Sequence, residues 1–194
     1  MATSAVSLSG AALLLLGCVL SCRASAESLP PPAYRLAAQR AGIPATVLFA
    51  VALQESGARL HGRLIPWPWT LNVAGSAERF ATRGAACSAL YNAIAHTPAN
   101  RIDAGLGQIN LGYHRQRYRD PCELLDPYRN LAVAADLLDE QHAAGEDWLL
   151  AVGRYHHPAG GETAARYRHR VNTHLTGLLR DDRSQQAAQH GDPP

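Results

Sequence analysis

The chain has 194 residues, of which 47% are hydrophobic and 18% are charged. This length and balance predict one compact globular domain with short tails. The formal net charge is only +2, and all 18 basic side chains are arginine. So small a charge argues against nucleic-acid binding, because nucleic-acid-binding domains usually need a concentrated basic face.

The first 26 residues have the pattern of a secretory signal peptide. Residues 11–20 form an apolar run that is too short to span a bilayer comfortably. Residues 24–26 (Ala-Ser-Ala) match the small-x-small pattern that signal peptidase cleaves, although the first ten residues contain no Arg or Lys. The pattern predicts export with cleavage after residue 26. The alternatives are an uncleaved N-terminal anchor and lipidation at Cys18 or Cys22, each of which follows a sequence that loosely resembles a lipobox.

Cleavage at this point leaves two cysteines, Cys87 and Cys122. In an oxidising compartment two such cysteines usually pair, and a loop of this length stabilises the fold by about 4 kcal/mol. We therefore predict a Cys87–Cys122 disulfide, with two buried free thiols as the alternative. Neither cysteine lies in a setting that predicts a nucleophile.

The mature region is predicted to be mostly helical and to form a single domain over residues 27–179. Apolar residues recur at helical spacing, and prolines and glycines mark where helices begin and end. Ser76, Asp126 and Asp147 are predicted N-caps, and the polar residues 180–194 predict a disordered tail. Counted with their caps, the predicted helices cover residues 32–40, 45–54, 76–96, 126–144, 147–156 and 162–179.

Two segments interrupt the helical pattern. Residues 64–73 read Leu-Ile-Pro-Trp-Pro-Trp-Thr-Leu-Asn-Val; the prolines forbid a helix, and the aromatic and β-branched residues favour strands. We predict a small hairpin or extended lobe over about residues 60–75. Residues 105–110 (GLGQIN) predict a glycine-punctuated turn that leads into a short helix.

One carboxylate, Glu55, is a candidate acid for glycoside cleavage. That reaction needs a carboxylic acid that keeps its proton near neutral pH and delivers it to the leaving oxygen. Apolar surroundings raise such a pKa, because they disfavour the ionised form. Glu55 ends a strongly apolar helix and precedes a Ser-Gly turn. Taken alone, this position indicates no more than an exposed glutamate at a helix end.

Three motifs, taken in order, change this interpretation. They are QESG at residues 54–57, GLGQIN at residues 105–110 and AVGRY at residues 151–155. This ordered set, within residues 47–175, resembles the soluble lytic transglycosylases, which cleave the glycan of the bacterial cell wall. The resemblance implies a mainly α, lysozyme-like domain with a small β-hairpin lobe, a periplasmic location and no cofactor.

The resemblance also implies roles for individual residues. Glu55 is the acid that protonates the glycosidic oxygen between the muramyl and glucosaminyl sugars, and then the base that activates the muramyl C6 hydroxyl. This attack gives a 1,6-anhydro product without water, so no second catalytic carboxylate is needed, unlike in most glycosidases. The implied substrate-binding residues are Ser56, Gln108, Asn110, Tyr155 and His156.

Two departures from the family pattern concern the surroundings of Glu55. The family follows its tyrosine with Asn-Ala-Gly, whereas this chain has His-His-Pro at residues 156–158. We assign to His156 the hydrogen bond that the asparagine normally gives. The usual methionine of the second motif is Gly107 here, which predicts a wider cleft floor. Both changes bear on substrate positioning more than on the class of reaction.

Residues 67–72 (Trp-Pro-Trp-Thr-Leu-Asn) resemble the subgroup associated with conjugation and secretion machines, which must cross the cell wall. Exposed tryptophan faces stack well on sugar rings. Packing of Trp67 and Trp69 in the core of the small lobe is an equal alternative. The implied partners are peptidoglycan glycan strands and components of a conjugative or secretion machine.

Three other functions compete with this one. Asp103 is predicted to cap a turn, but as a second carboxylate it would make the protein a muramidase that uses water, in the manner of goose-type lysozymes. The nine histidines invite a metal site. No HExxH pair exists, however, and His156 and His157 point apart on a helix, so no metal is predicted. The third competitor is an inactive wall-binding scaffold that keeps the fold.

Overall fold

The computed structural model describes residues 30–190. Six α-helices dominate this part of the chain, together with two small antiparallel sheets. The helices are α1 Pro32–Ala41, α2 Ala45–Ser56, α3 Arg83–His96, α4 Pro127–Glu140, α5 Trp148–His156 and α6 Gly161–His190. The prediction of a mainly helical domain is confirmed.

Helix α2 forms the centre of the core. Its residues 47–53 are all buried, because the helix is apolar on every side rather than along one stripe. Helices α1, α4 and α6 pack around it. Glu55 therefore lies on the last turn of α2, where the helix passes from the apolar core to the edge of the domain.

Local capping chemistry sets several helix boundaries. Helix α1 ends at Gly42, which adopts a left-handed φ of 74°. Asp126 caps α4 by accepting a hydrogen bond from the Arg129 amide at 2.9 Å. Asp147 caps α5 by accepting one from the Leu149 amide at 2.9 Å. These two predicted N-caps are confirmed, whereas the predicted cap Ser76 lies in a strand and Thr82 caps α3 instead.

The strands form two sheets beside the helices. In chain order they are β1 Gly57–Leu60, β2 Arg63–Pro66, β3 Thr70–Val73, β4 Ser76–Arg79, β5 Ile102–Ala104 and β6 Ile109–Asn110. Strands β1 and β2 form a hairpin directly after α2, and the other four form an antiparallel sheet in the order β4-β3-β5-β6. The predicted β lobe is present, and it is larger than predicted because the segment after α3 adds two strands to it.

The predicted helix over residues 76–96 is wrong in its first part. Residues 76–79 form β4, which pairs with β3, and α3 begins only at Arg83. The chain reverses at Ala74 and Gly75, whose φ angles are 54° and 94°. Two consecutive residues with positive φ make a tight hairpin turn, so the segment after the turn pairs with the strand before it.

Two other predicted segments differ from the structure. Helix α4 ends at Glu140, short of the predicted end at Ala144. The last two residues of the predicted turn over residues 105–110 form β6, and a short 3-10 helix follows only at Arg115–Arg117. These two residues, Ile109 and Asn110, pair with Ala104 and Asp103 of β5.

Helix α6 continues past the predicted end at residue 179 as far as His190. Residues 180–190 are therefore helical where a disordered tail was predicted. No glycine or proline interrupts residues 178–190, so nothing local stops the helix. Residues 191–194 lie outside the described residues.

Within residues 30–190, no single helix is long and apolar enough to cross a membrane. Helices α1 and α2 reach that length and composition only when taken as a pair, and the pair is bent by 117°. The predicted signal peptide over residues 1–26, with its alternatives of an anchor or lipidation, lies outside the described residues.

Cys87 and Cys122 form the predicted disulfide, with their Cα atoms 5.4 Å apart. The bond joins α3 to the short 3-10 helix that precedes α4. A hydrogen bond from Arg83 to the Cys122 carbonyl at 3.0 Å joins the same two elements. The alternative of two free thiols is wrong.

Replacing both cysteines with serine should lower the free energy of unfolding by about 4 kcal/mol, because the unfolded chain regains the freedom of the closed loop. Urea denaturation followed by circular dichroism measures this difference. Reductant should move the wild-type midpoint to that of the double variant and leave the variant unchanged. Equal midpoints for the oxidised wild type and the double variant would contradict the prediction.

Candidate active site

A cleft of about 610 Å³ brings together most of the predicted site residues. It lies between the four-stranded sheet, the end of α2 and the C-terminal end of α5. The predicted residues that line it are Glu55, Gln108, Asn110, Tyr155 and His156. Ser56 is the one predicted site residue that does not line it.

Glu55 lies on the last turn of α2, where the helix leaves the core. The helix ends sharply at Gly57, where a Cβ would lie 2.3 Å from the Leu53 carbonyl oxygen. Glu55 is partly buried and contributes to the wall of the cleft. The hydroxyl of Tyr167 on α6 donates a hydrogen bond to Glu55 Oε1. Two helices distant in sequence therefore hold this carboxyl.

Burial raises the pKa of Glu55 to about 7. The hydrogen bond from Tyr167 opposes this shift, the negative charge of Asp103 adds to it, and the positive charge of Arg170 opposes it. A carboxyl with this pKa is partly protonated and partly ionised near neutral pH. It is therefore suited to donate a proton and to take one back.

The four-stranded sheet gives the cleft a polar wall. Its register aligns Ala77, Asn72, Asp103 and Asn110 across the four strands, and all four residues line the cleft. The neighbouring row contains Leu71, which is buried in the core. Successive residues of a strand face opposite sides of the sheet, so this alternation separates the polar row from the apolar one.

Asp103 belongs to this wall and does not cap a turn as predicted. It lies within β5 and accepts a hydrogen bond from Asn110 Nδ2 at 2.8 Å. Burial raises the pKa of Asp103, and the hydrogen bond from Asn110 acts in the opposite direction. The negative charge of Asp103 also raises the pKa of Glu55.

A buried amide holds the turn that carries Gln108. Gln108 has a positive φ of 46°, which is uncommon for a residue other than glycine. Asn130 of α4 accepts a hydrogen bond from the Gly107 amide at 2.7 Å and donates to the carbonyls of Ala104 and Leu124 at 2.9 and 2.8 Å. The sequence interpretation missed Asn130. The available signal was the presence of a polar residue next to the predicted buried stripe of this helix.

Gly107 does not widen the cleft floor as predicted. The Tyr155 hydroxyl donates a hydrogen bond to the Gly107 carbonyl at 2.7 Å. A Cβ on Gly107 would lie 2.9 Å from that hydroxyl and 2.7 Å from the Cβ of Ala134. The space that a side chain would need is already filled, so glycine is required for the turn to pack against α4 and α5.

The side chains of Gln108 and Ser56 both donate hydrogen bonds to backbone carbonyls. Gln108 Nε2 donates to the carbonyls of Gly105 and Thr70 at 2.8 and 3.2 Å, which fixes the side chain in the cleft wall. Ser56 is fully buried and donates to the Leu106 carbonyl at 2.9 Å. It joins α2 to the turn and is out of reach of a ligand, which corrects its assignment as a substrate-binding residue.

His156 contacts the partner of Glu55 and not Glu55 itself. Its ring stacks on Tyr167, with the centroids 4.4 Å apart and the planes at 5°. The hydrogen bond to Glu55 comes from the Tyr167 hydroxyl. Burial, and then the charge of Arg170, lower the pKa of His156. The ring is therefore neutral near pH 7 and packs as an aromatic surface.

The two tryptophans of the β lobe pack against each other, with ring centroids 6.1 Å apart and planes at 88°. Trp67 Nε1 donates to the Phe80 carbonyl at 2.7 Å, and Trp69 packs against the core. Neither lines the cleft. The structure therefore favours the packing role over contact with sugar rings.

Tyr167 is a second residue of the site that the sequence interpretation missed. It lies between Ala164 and Val171 on the buried face of α6, at spacings of three and four residues. A tyrosine on such a face usually needs a hydrogen-bond partner inside the domain, and this requirement is the available signal. Its partner, Glu55, is 112 residues away in sequence, so no local pattern links the two.

Comparison of the chain with protein-family models, with curated proteins and with solved structures finds no match. Within residues 30–190, no group of three His, Cys, Asp or Glu side chains is arranged to hold a metal ion. The carboxyl of Glu55, with its raised pKa, lines the cleft together with Asp103.

Tyr167→Phe removes the hydroxyl and keeps the ring that stacks on His156. Because the lost hydrogen bond lowers the pKa of Glu55, that pKa should rise above its wild-type value of about 7. Titration of the Glu55 carboxyl by carbon-13 NMR measures the shift. The matched control is Tyr118→Phe, which loses a buried hydroxyl bonded to the Leu111 carbonyl at 2.8 Å and should leave the midpoint unchanged. An unchanged or lower midpoint in Tyr167→Phe would refute this assignment.

Proposed function

We propose that the protein is a peptidoglycan lytic transglycosylase with Glu55 as its single acid/base. The observation that carries this proposal is a carboxyl of pKa about 7 in the wall of a cleft of about 610 Å³. Such a group meets the need for a proton donor to a leaving glycosidic oxygen near neutral pH. The family resemblance supports the proposal, because Glu55, Gln108 and Tyr155 each come from one of the three motifs and line one cleft.

The reaction takes two proton transfers at one carboxyl. Protonated Glu55 gives its proton to the glycosidic oxygen as the bond from that oxygen to the muramyl C1 breaks. The carboxylate that remains accepts the hydrogen bond from Tyr167. It then removes the proton of the muramyl C6 hydroxyl while O6 bonds to C1 and closes the 1,6-anhydro ring. Glu55 regains its proton, and no water is consumed.

The wider parts of the proposal rest on the family resemblance. They are a lysozyme-like fold, export to the periplasm and local opening of the wall for a conjugation or secretion machine. The polar wall of Asn72, Asp103 and Asn110 agrees with a glycan substrate, because sugar hydroxyl and acetamido groups need hydrogen-bond donors and acceptors.

Glu55→Gln should abolish the release of anhydro-muropeptides from purified peptidoglycan, with a loss of about a hundredfold or more, because glutamine cannot transfer the proton. Mass spectrometry of the digest measures the products. Clearing of peptidoglycan in a gel by the variant at the wild-type rate would show the proposal to be wrong. A wild type that neither clears nor digests the wall would favour the inactive scaffold.

The stability of the same variant separates loss of the acid from loss of the fold. In the wild type, the folded state holds the Glu55 proton more tightly than the unfolded state does, since its pKa rises from 4.5 to about 7. The wild type should therefore lose about 3 kcal/mol of stability as the pH rises through this window. Glu55→Gln lacks this loss. In urea denaturation, the free energy of unfolding of the variant relative to that of the wild type should be higher at pH 8 than at pH 4.5.

The position of Asp103 favours one second candidate, a muramidase that uses water. In that reaction Glu55 is the acid, and the Asp103 carboxylate assists attack by water at C1, which leaves a reducing end and not an anhydro end. The favouring observation is that Asp103 lines the same cleft as Glu55 and raises its pKa.

Asp103→Asn distinguishes the two enzymes and keeps an acceptor for Asn110. In a transglycosylase, the variant should still form anhydro ends. Because the charge that raises the pKa of Glu55 is gone, the loss of activity at high pH should begin at a lower pH. In a muramidase, wild-type products carry reducing ends, and the variant should lose about a hundredfold or more of its rate. The control is Glu78→Gln, an exposed carboxyl of β4 outside the cleft lining, which should leave products and pH profile unchanged.

A further inference from the structure

Tyr113 is an exposed aromatic ring in the cleft that the proton transfers do not use. It is 69% exposed, the largest exposure among the big hydrophobic side chains whose burial is described. Seven large hydrophobic side chains of the described residues are exposed, among them Tyr91 and Tyr128, and of these seven only Tyr113 lines the cleft that contains Glu55. An apolar ring left in water inside a binding cleft is a candidate contact for a ligand.

The backbone that carries Tyr113 is held rigidly. The amides of Gly112 and Tyr113 donate to Asn110 Oδ1 at 3.1 and 3.0 Å. The Gly112 amide also donates to the Ala99 carbonyl at 3.1 Å. A Cβ on Gly112 would lie 2.6 Å from the Asn100 amide nitrogen, so the loop packs tightly on its neighbour. Little backbone freedom is therefore left to lose when a ligand contacts the ring.

Asn110 connects this loop to the polar wall. Its Oδ1 accepts from the loop, while its Nδ2 donates to Asp103 Oδ1 at 2.8 Å and to the Asn100 carbonyl at 3.0 Å. One side chain therefore fixes both the carboxylate of the wall and the backbone of the exposed ring. This arrangement makes the aromatic surface and the hydrogen-bonding surface parts of one rigid unit.

We propose that Tyr113 is a stacking platform for one pyranose ring of a β-linked N-acetylhexosamine chain. The inference rests on the proposed function and adds to it a binding residue that contacts the apolar C–H face of a sugar. Aromatic faces pack well against such a face, and the equatorial hydroxyl and acetamido groups of the same ring remain free for hydrogen bonds. The polar wall of the same cleft supplies those hydrogen bonds.

The test measures binding in the Glu55→Gln background, in which the glycan is not cleaved. The ligand is a purified, peptide-free oligosaccharide of alternating N-acetylmuramic acid and N-acetylglucosamine, titrated by isothermal calorimetry. Adding Tyr113→Ala should weaken the Kd by at least about fivefold, because the stacking surface is lost. Adding Tyr113→Phe should change the Kd by less than about twofold, since the ring remains.

The matched control is Tyr128→Ala in the same background. Tyr128 is 63% exposed, lies at the start of α4 and is outside the cleft lining, so the Kd should not change. If Glu55→Gln binds the glycan and Tyr113→Ala binds it equally well, the stacking role is wrong while the proposed function stands. An equal loss in Tyr113→Phe and Tyr113→Ala would assign the contact to the hydroxyl and also overturn stacking. If Glu55→Gln binds no glycan, the proposed function fails and takes this inference with it.

Discussion

The hydrogen bond from the Tyr167 hydroxyl to Glu55 Oε1 is the interaction on which the site depends. Helix α2 brings the carboxyl to the edge of a dry core, which favours the neutral acid. The hydroxyl from α6 stabilises the carboxylate and makes ionisation possible in the same place. The two effects together with nearby charges leave a pKa of about 7. A carboxyl that must both give and take a proton needs this balance.

The remainder of the cleft wall depends on a second set of polar contacts, made by the side chains of Asn130 and Asn110 and by a close approach at Gly107. Asn130 satisfies three backbone groups of the turn and its neighbours, and Gly107 allows Tyr155 to approach the turn backbone closely. Asn110 donates a hydrogen bond to Asp103 and accepts hydrogen bonds from two backbone amides of the loop beyond β6. These side chains hold backbone in place, so the groups that face the cleft are positioned before any ligand arrives.

Much of the helical fold follows from local sequence, because caps, prolines and apolar spacing act over a few residues. Asp126 and Asp147 cap helices as predicted, and the disulfide forms as predicted. The predictions that failed concern segments whose secondary structure depends on pairing with a neighbouring strand. Residues 76–79 form a strand because β3 pairs with them, and the turn over residues 105–110 leads into β6 because β5 lies beside it. Pairing across a sheet overrides the local preference of a short segment.

By itself, the sequence determined the position of Glu55 at the end of an apolar helix and the motifs that single it out. Tertiary structure decided what surrounds it. It placed the hydroxyl of Tyr167 on Glu55 and the ring of His156 against Tyr167, buried Ser56 and turned Asp103 into the cleft. Each of these outcomes depends on contacts between segments far apart in the chain. The sequence shows which residue types are present and at what spacing. Burial and hydrogen bonding, which set a pKa, exist only after the helices and the sheet have packed.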